Sequence, residues 1–569
     1  MRRADEEVVR AVPPTGGPDE LRRTTTEPVE RGASSDEMTS TGLGSPPGSA
    51  VPEPPAGGES SCSLLAPSGA DEMIPTARAP GSVLTDLNLD AVVAALVRGR
   101  EEYDLGPLYE SPPTATATVR YRQDAVRDLE DPVLRSACLA FAAGMRQSRV
   151  AFATAERRTH LLQRARIQLD AVRAYARSVA EFAAALGPLS LRSSGWQRLR
   201  AYLRAYVTSP RFRSWRAEAD AIDGAIAEIL FLVHLKGRRV TIATHRGEVD
   251  WGAEIERTFQ RFERSEGKDR RFRWSEGPDL DPVEEQIVNR VAVLHPALFS
   301  RLVAIARAAA GQLDPRIARA DREVQFFLAY LELTEPLRAR EFPFALPSLV
   351  DPGDGESVEG LFDLALALRT AAPDARVVPN DYAIEPPERV LVVTGPNQGG
   401  KTTFARAFGQ IHFLAALGLP VPARRARVSV PDRILTHFGV AERLDQGHGR
   451  LEDDLERLRS LLDAATASTV VVLNESFTAA TVQDALAVGS EVLRRVFVRG
   501  STAVCVTFLD ELSRLGPETV SLVAEVARDD PNVRTFRLVR RPADGRAYAR
   551  ALAERHGLAY ESLARRLTT

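Results

Sequence analysis

Lysine is almost missing from this chain. Of 74 basic residues only three are lysine, Lys236, Lys268 and Lys401, and the other 71 are arginine. So lopsided a ratio is a compositional bias rather than 71 separate requirements, and it makes each lysine informative. Cysteine is as sparse. Cys62, Cys138 and Cys505 are scattered, odd in number and form no C-x-x-C, which argues against a disulfide framework or a zinc site and for a reducing compartment. No apolar run approaches the ~18 residues of a membrane span. The start, MRRADEEVVR, carries acids where a signal peptide needs an apolar core. The expectation is a cytoplasmic protein with no membrane contact. Net charge is only −3, so any nucleic-acid contact has to come from a local patch.

What is present is enough for several cores. The 569 residues, 44 % hydrophobic and 27 % charged, fit a globular chain of more than one domain. Residues 1–80 are rich in Pro, Gly, Ser, Thr and Glu. Such a segment buries too little apolar surface to offset its ordering entropy, and is expected to be a disordered tail. Residues 81–375 show helical spacing throughout. The stretch 149–187 has no Pro or Gly before Gly187 and is expected to form one helix of roughly forty residues. Further helices are expected over 214–235, 282–312 and 317–340. Between them RRVTIATHRGEVDW alternates like a strand pair turning at Arg246–Gly247, within a small β-containing insertion near 236–275. Nearby, Arg261, Arg264, Lys268, Arg270, Arg271 and Arg273 lie among Phe262, Phe272 and Trp274. That mixture suits phosphate contact with base stacking, although Glu263, Glu266 and Asp269 would equally suit a solvated loop. From 376 to 569 apolar strands alternate with helices, in RVLVVTG, TVVVLNE, STAVCVTF and TFRLVRR, the pattern of a largely parallel sheet. The fold class expected is multidomain, a long α-helical region followed by a C-terminal α/β domain.

The α/β part holds the chain's clearest motif. VLVVTGPNQGGKTTFARAFG contains G-x-x-x-x-G-K-[ST] between a strand and a helix, the context the motif needs. With lysine this scarce, a chance match is rare. Gly395, Pro396, Asn397, Gln398, Gly399, Gly400, Lys401, Thr402 and Thr403 are the expected ATP-binding residues. Backbone N–H groups at the turn and helix start would face the phosphates. Lys401 would reach the β- and γ-phosphates, and the Thr402 hydroxyl would ligate Mg²⁺. The strand TVVVLNES then supplies the metal side. Asn474 is expected near the Mg²⁺ and Glu475 as the base that orients or deprotonates the attacking water; a surface carboxylate at a strand end is the plainer reading of Glu475.

These residues resemble the MutS family of DNA mismatch-repair ATPases. TGPNQGGKTT is similar to that family's T-G-P-N-x-G-G-K-[ST], and the likeness continues through GLPVPA, DRILTHFG and RRPADGRAYARALAERHGL. The resemblance implies an ABC-type P-loop ATPase domain over about 376–569, and helices over 82–375 forming core, lever and clamp domains. It further implies Lys401 and Glu475 as catalytic residues, Mg²⁺ at Thr402, Asn474 and Glu475, a homodimer with composite ATP sites, and DNA as partner.

Several positions depart from the family. An N-terminal mismatch-wedge domain and a C-terminal nuclease-like domain are expected to be lacking. The signature loop's Ser-Thr-Phe aligns with Gly449-Arg450-Leu451, the switch histidine with Phe508, and the metal-side aspartate with Asn474. Asn474 keeps an acceptor but removes one charge from the metal's surroundings, so slow hydrolysis or a higher Mg²⁺ requirement is expected. Arg450 is a conjectured cation in trans. The expected function is an ATP-switched clamp in mismatch repair or a related repair or recombination process, acting on mismatched or branched DNA. The alternative is a nucleotide-locked dimeric scaffold that binds branched nucleic acid or protein partners with little ATPase activity.

Overall fold

The computed structural model describes residues 62–67, 78–236, 239–247, 279–309, 314–370, 377–439, 450–476, 481–527 and 533–543, all within one compact unit that spans residues 47–569. Helices make up the first half: α1 (Gly81–Asp86), α2 (Leu89–Val97), α3 (Gly106–Glu110), α4 (Thr116–Asp128), α5 (Pro132–Glu156), α6 (Leu161–Leu186), α7 (Ser194–Thr208) and α8 (Pro210–Ala227). The hairpin β1 (Phe231–Lys236) and β2 (Arg239–Thr244) follows, then α9 (Pro282–Leu294), α10 (Pro296–Ala309) and α11 (Pro315–Arg338).

The single helix expected over 149–187 is instead the junction of two. α5 ends at Glu156, and α6 starts at Leu161 and packs back along it. The break carries no Gly or Pro. It is held by side chains, with His160 Nδ1 accepting from the Gln163 N–H (3.3 Å) and Arg164 capping the Arg158 carbonyl (2.9 Å). Doubling back lets both apolar faces bury each other. Phe141 stacks on Phe182 at 4.3 Å, and the bare Gly144 lets Ser178 come so close that a Cβ there would lie 2.6 Å from the Ser178 Cβ.

Two further expectations shift. The helix expected through Leu235 stops at Ala227, and Phe231–Lys236 is a strand. An unbroken apolar run such as ILFLVHL suits either element, and pairing with β2 decides it. Lys236 pairs with Arg239, so the two strands close on each other before the expected Arg246–Gly247. The helix expected over 282–312 breaks at His295–Pro296, where the chain bends by 110°. Proline lacks the N–H that a continuing helix needs and pushes the preceding residue out of helical conformation. The basic and aromatic residues 261–274 lie outside the described residues.

Within the expected disordered tail, residues 62–67 are packed into the helical core. Leu64 is fully buried and Leu65 nearly so. Glu323 on α11 accepts from Ser63 Oγ (2.8 Å) and from the Leu64 N–H (2.6 Å). From α4, the Tyr121 hydroxyl donates to the Ser63 carbonyl (2.6 Å) and Arg122 Nε to the Leu65 carbonyl (2.9 Å). Burial raises the pKa of Glu323 above its ordinary value, while the hydrogen bonds from Leu64 and Ser63 pull the other way. Glu323→Gln, which weakens charge-assisted bonds to neutral ones, is expected to cost about 1–2 kcal/mol. It should also speed proteolytic cleavage around residues 62–67; unchanged cleavage and melting would show that the carboxylate is not what anchors the segment.

The second half is built on two sheets: β3 (Ser348–Val350), β4 (Glu356–Leu361), α12 (Leu364–Arg369), β5 (Asn380–Ile384), β6 (Val390–Thr394), α13 (Lys401–Ala416), β7 (Arg425–Ser429), β8 (Ile434–Phe438), α14 (Arg450–Ala464), β9 (Val470–Asn474), α15 (Val482–Arg499), β10 (Thr502–Val506), β11 (Thr519–Val526) and β12 (Arg534–Arg540). The larger sheet has the order β12-β11-β6-β10-β9-β8 and is parallel except at β12, as the alternating pattern predicts. Its β6, β9 and β10 are buried along their whole length, which is why they read as unbroken apolar runs. The smaller sheet, β3-β7-β4-β5, crosses the boundary expected near 376, because β3 and β4 pair with β7. α13 is buried along nearly its whole length and shares one apolar core with both sheets, whereas α14 and α15 cover the larger sheet's other face.

Candidate nucleotide site

Parallel strands put their carboxyl ends on one edge, and three such ends meet here. The loop 395–400 leaves β6, Asn474 and Glu475 end β9, and Phe508 follows β10, which lies between the two. Crevices beyond strand carboxyl ends are where open α/β sheets hold ligands.

The loop's shape needs its glycines. Gly395 has φ +116, and a methyl group there would lie 3.0 Å from Ala524 on β11; Gly400, at φ +90, opens α13. α13 starts without a side-chain cap, so its first backbone N–H groups are available to an anion. Gln398 and Glu475 also take left-handed backbone, φ 60 and 52, a strain that functional sites tend to concentrate.

Asn397, Gln398, Gly399, Gly400, Lys401, Thr402, Thr403 and Glu475 line one cavity of about 620 Å³. Gly395 and Pro396 contribute from behind, as their carbonyls accept from Lys401 Nζ at 3.1 and 3.0 Å. Burial lowers the Lys401 pKa from its ordinary value; the Glu475 charge opposes this and Arg534 adds to it. Asn474 is not in the cavity wall. It is buried at the adjoining strand end, and among the described residues its Oδ1 has no hydrogen-bond partner. A buried carbonyl oxygen without a donor is costly, and a metal-bound water would satisfy it. The residues therefore fit a magnesium ion carried in with phosphates. Among the described residues no cluster of His, Cys, Asp or Glu could hold a metal unaided.

The far wall was not foreseen. Leu361, Phe362 and Asp363, Val377 and Val378, and Phe536 of β12 complete it. They are distant in sequence from the loop and of ordinary type, so nothing local marks them. Gly449 lies outside the described residues, and Arg450 is the first residue of α14. Most of the C-terminal stretch resembling the family, from 544 on, is also outside them.

A family model described as MutS domain V matches residues 391–561. Sequence relatives agree. One is a DNA mismatch repair protein MutS of Chlorobium phaeovibrioides, 28 % identical over 51 % of this chain and 33 % of its own length. Another is an endonuclease MutS2 of Thermus thermophilus, 30 % identical over 44 % of this chain and 33 % of its own. Over residues 391–561 the chain is similar to the MutS family. A DNA mismatch repair protein MutS 2 of Halobacterium salinarum matches in the same way, 29 % identical over 49 % of this chain and 32 % of its own length. The chain thus spans about a third of the length of these relatives. The domain V match starts inside β6 and takes in the loop, α13, Asn474, Glu475 and Phe508, so the site lies almost wholly in the shared part. Among the described residues no single helix is long and apolar enough to cross a membrane.

Proposed function

We propose that this chain is an ATP-dependent DNA-binding protein whose helical half acts as lever and clamp on DNA, in mismatch repair or a related repair or recombination process, and whose C-terminal half is a P-loop ATPase of the ABC type. The observation that carries the reading is the uncapped start of α13, with Lys401, Thr402 and Glu475 facing one cavity. In this reading the loop and α13 N–H groups hold the phosphates and Lys401 leaves its carbonyl partners to reach them. Thr402 and Asn474 would hold the Mg²⁺, through the hydroxyl and the side-chain carbonyl oxygen. The ion, when bound, neutralises phosphate charge. Glu475 takes a proton from, or orients, the attacking water. Asn474 supplies no charge to the metal, and Phe508 offers no hydrogen bond to the terminal phosphate; both make turnover slow. A second copy of the chain completes the site in a homodimer.

The test is DNA binding by the full chain. Anisotropy with homoduplex, mismatched and branched DNA, with and without ATP, at about 50 and 200 mM salt should show affinity that falls steeply with salt and that ATP changes. Failure to bind any of the three overturns the clamp reading.

A further inference from the structure

The ammonium of Lys401 is already occupied in this structure. Two of its three N–H donors are aimed at the carbonyls of Gly395 and Pro396, and the ring of Phe508 stands with its centroid 4.8 Å from Nζ. That is within the range of a cation–π contact. Phe508 is held in place by its neighbours. The Thr507 N–H donates to the Val393 carbonyl at 3.1 Å, and Thr507 Oγ1 accepts from the Leu509 N–H at 3.0 Å. Yet the Phe508 side chain is not a core residue. It is 49 % exposed and forms part of the cavity wall beside Glu475. A half-exposed phenyl ring, flanked on both sides by hydrogen-bonded residues and set against the cavity's lysine, needs a reason other than packing.

We propose that Phe508 is a positioning residue that parks Lys401. In the nucleotide-free chain the ring and the two loop carbonyls hold the ammonium back. A triphosphate must draw it out from under the ring, because three donors cannot serve two carbonyls, a ring face and the phosphates together. This rests on the nucleotide reading of the same cavity. The ring thus stabilises the nucleotide-free state selectively and weakens binding. Removing the aromatic face while keeping apolar bulk, in Phe508→Leu, is expected to tighten ATP binding about two- to fivefold.

The scarcity of lysine makes the contact directly observable. A full chain labelled with ¹³C at lysine Cε gives signals from only Lys236, Lys268 and Lys401, and Lys401→Arg assigns the third. Without nucleotide, the Lys401 Hε resonance should lie upfield through the ring current of Phe508. It should stay upfield in Phe508→Tyr and return to the ordinary position in Phe508→Leu. Adding ATP with Mg²⁺ to the wild type should also return it. An unshifted wild-type resonance, or a shift that survives Phe508→Leu, overturns the parking contact whether or not ATP binds. A shifted resonance in a chain that binds no ATP by displacement of a fluorescent analogue overturns the nucleotide reading, and the hand-over with it. ATP binding that leaves the shift unchanged, or that Phe508→Leu does not tighten, overturns the hand-over alone.

Discussion

Glu475→Gln is expected to cut ATP turnover at least about a hundredfold while leaving ATP binding within about threefold of wild type. The substitution keeps the side chain's size and one acceptor oxygen, so the strand end should hold; its backbone bond, the Glu475 N–H to the Val506 carbonyl at 2.9 Å, is untouched. What is lost is the ability to take a proton. If Glu475 is only a strand-end carboxylate, turnover will hardly change, and whatever hydrolysis exists must arise elsewhere. If the chain is a nucleotide-locked scaffold, wild type and variant will both turn over negligibly and ATP will bind both alike. The same series tests Asn474. In the proposed site Asn474→Asp would add a charge near a bound Mg²⁺ and should lower the Mg²⁺ concentration for half-maximal turnover; identical Mg²⁺ curves would show that the missing charge does not limit the site. Single-turnover measurements, which separate chemistry from product release, are the appropriate readout.

The parts of this site that could be read from sequence are those whose reasons are local. Gly395, Gly400, Lys401 and Thr402 have fixed spacing within one loop, and β6, β9 and β10 are buried on both faces and so appear as plain apolar runs. The smaller sheet was invisible because its pairing is distant. Ser357 of β4 pairs with Arg427 of β7, and neither short strand carries an alternation strong enough to announce itself. The break between α5 and α6 was hidden for the opposite reason. Arg157 to His160 hold no breaker residue, and the turn is set by capping bonds and by the gain from burying two faces against each other. The docked segment 62–67 is the furthest case. Its composition is that of a tail, and its fate is decided by a carboxylate 260 residues away. Phe508 could be seen as a departure from the family's histidine, but its place over Lys401 depends on how the ends of β6 and β10 are juxtaposed.

Glu356→Ala is expected to cost about 3–5 kcal/mol of stability near pH 6, because it strips the partner from a buried imidazolium. His412 lies on α13 about three turns beyond Lys401 and is fully buried. Both ring nitrogens face acceptors, with Nδ1 2.8 Å from the Phe408 carbonyl and Nε2 2.9 Å from Glu356 Oε2. A carbonyl cannot donate, so Nδ1 carries a proton. Nε2 must then carry one too if it is to bond a carboxylate. Glu356 Oε1 in turn accepts from the Ser429 N–H (3.0 Å) and hydroxyl (2.6 Å), so the group ties α13 to β4 and β7. Burial opposes charging His412, but Glu356 and the two hydrogen bonds outweigh it, and the pKa is raised above 6.5. Burial likewise opposes ionising Glu356, and His412 and Ser429 outweigh it, so its pKa is lowered below 4.5. The signs follow from linkage. The histidine's contribution is complete below 6.5 and fades as pH rises through its raised folded value. The glutamate's is complete above 4.5 and fades as pH falls through its lowered one. The pair therefore stabilises most between those two limits. Glu356→Gln distinguishes charge from geometry. The amide oxygen can still accept from Ser429 and the amide N–H can donate to a neutral Nε2, so this variant should lose only about 1 kcal/mol and show little pH dependence from 6 to 9. The advantage of wild type over Glu356→Gln in urea denaturation should shrink as pH rises across that range. An advantage that stays constant from pH 6 to 9 would mean that His412 does not lose its charge within that range, and the imidazolium–carboxylate account of how α13 is held would fail.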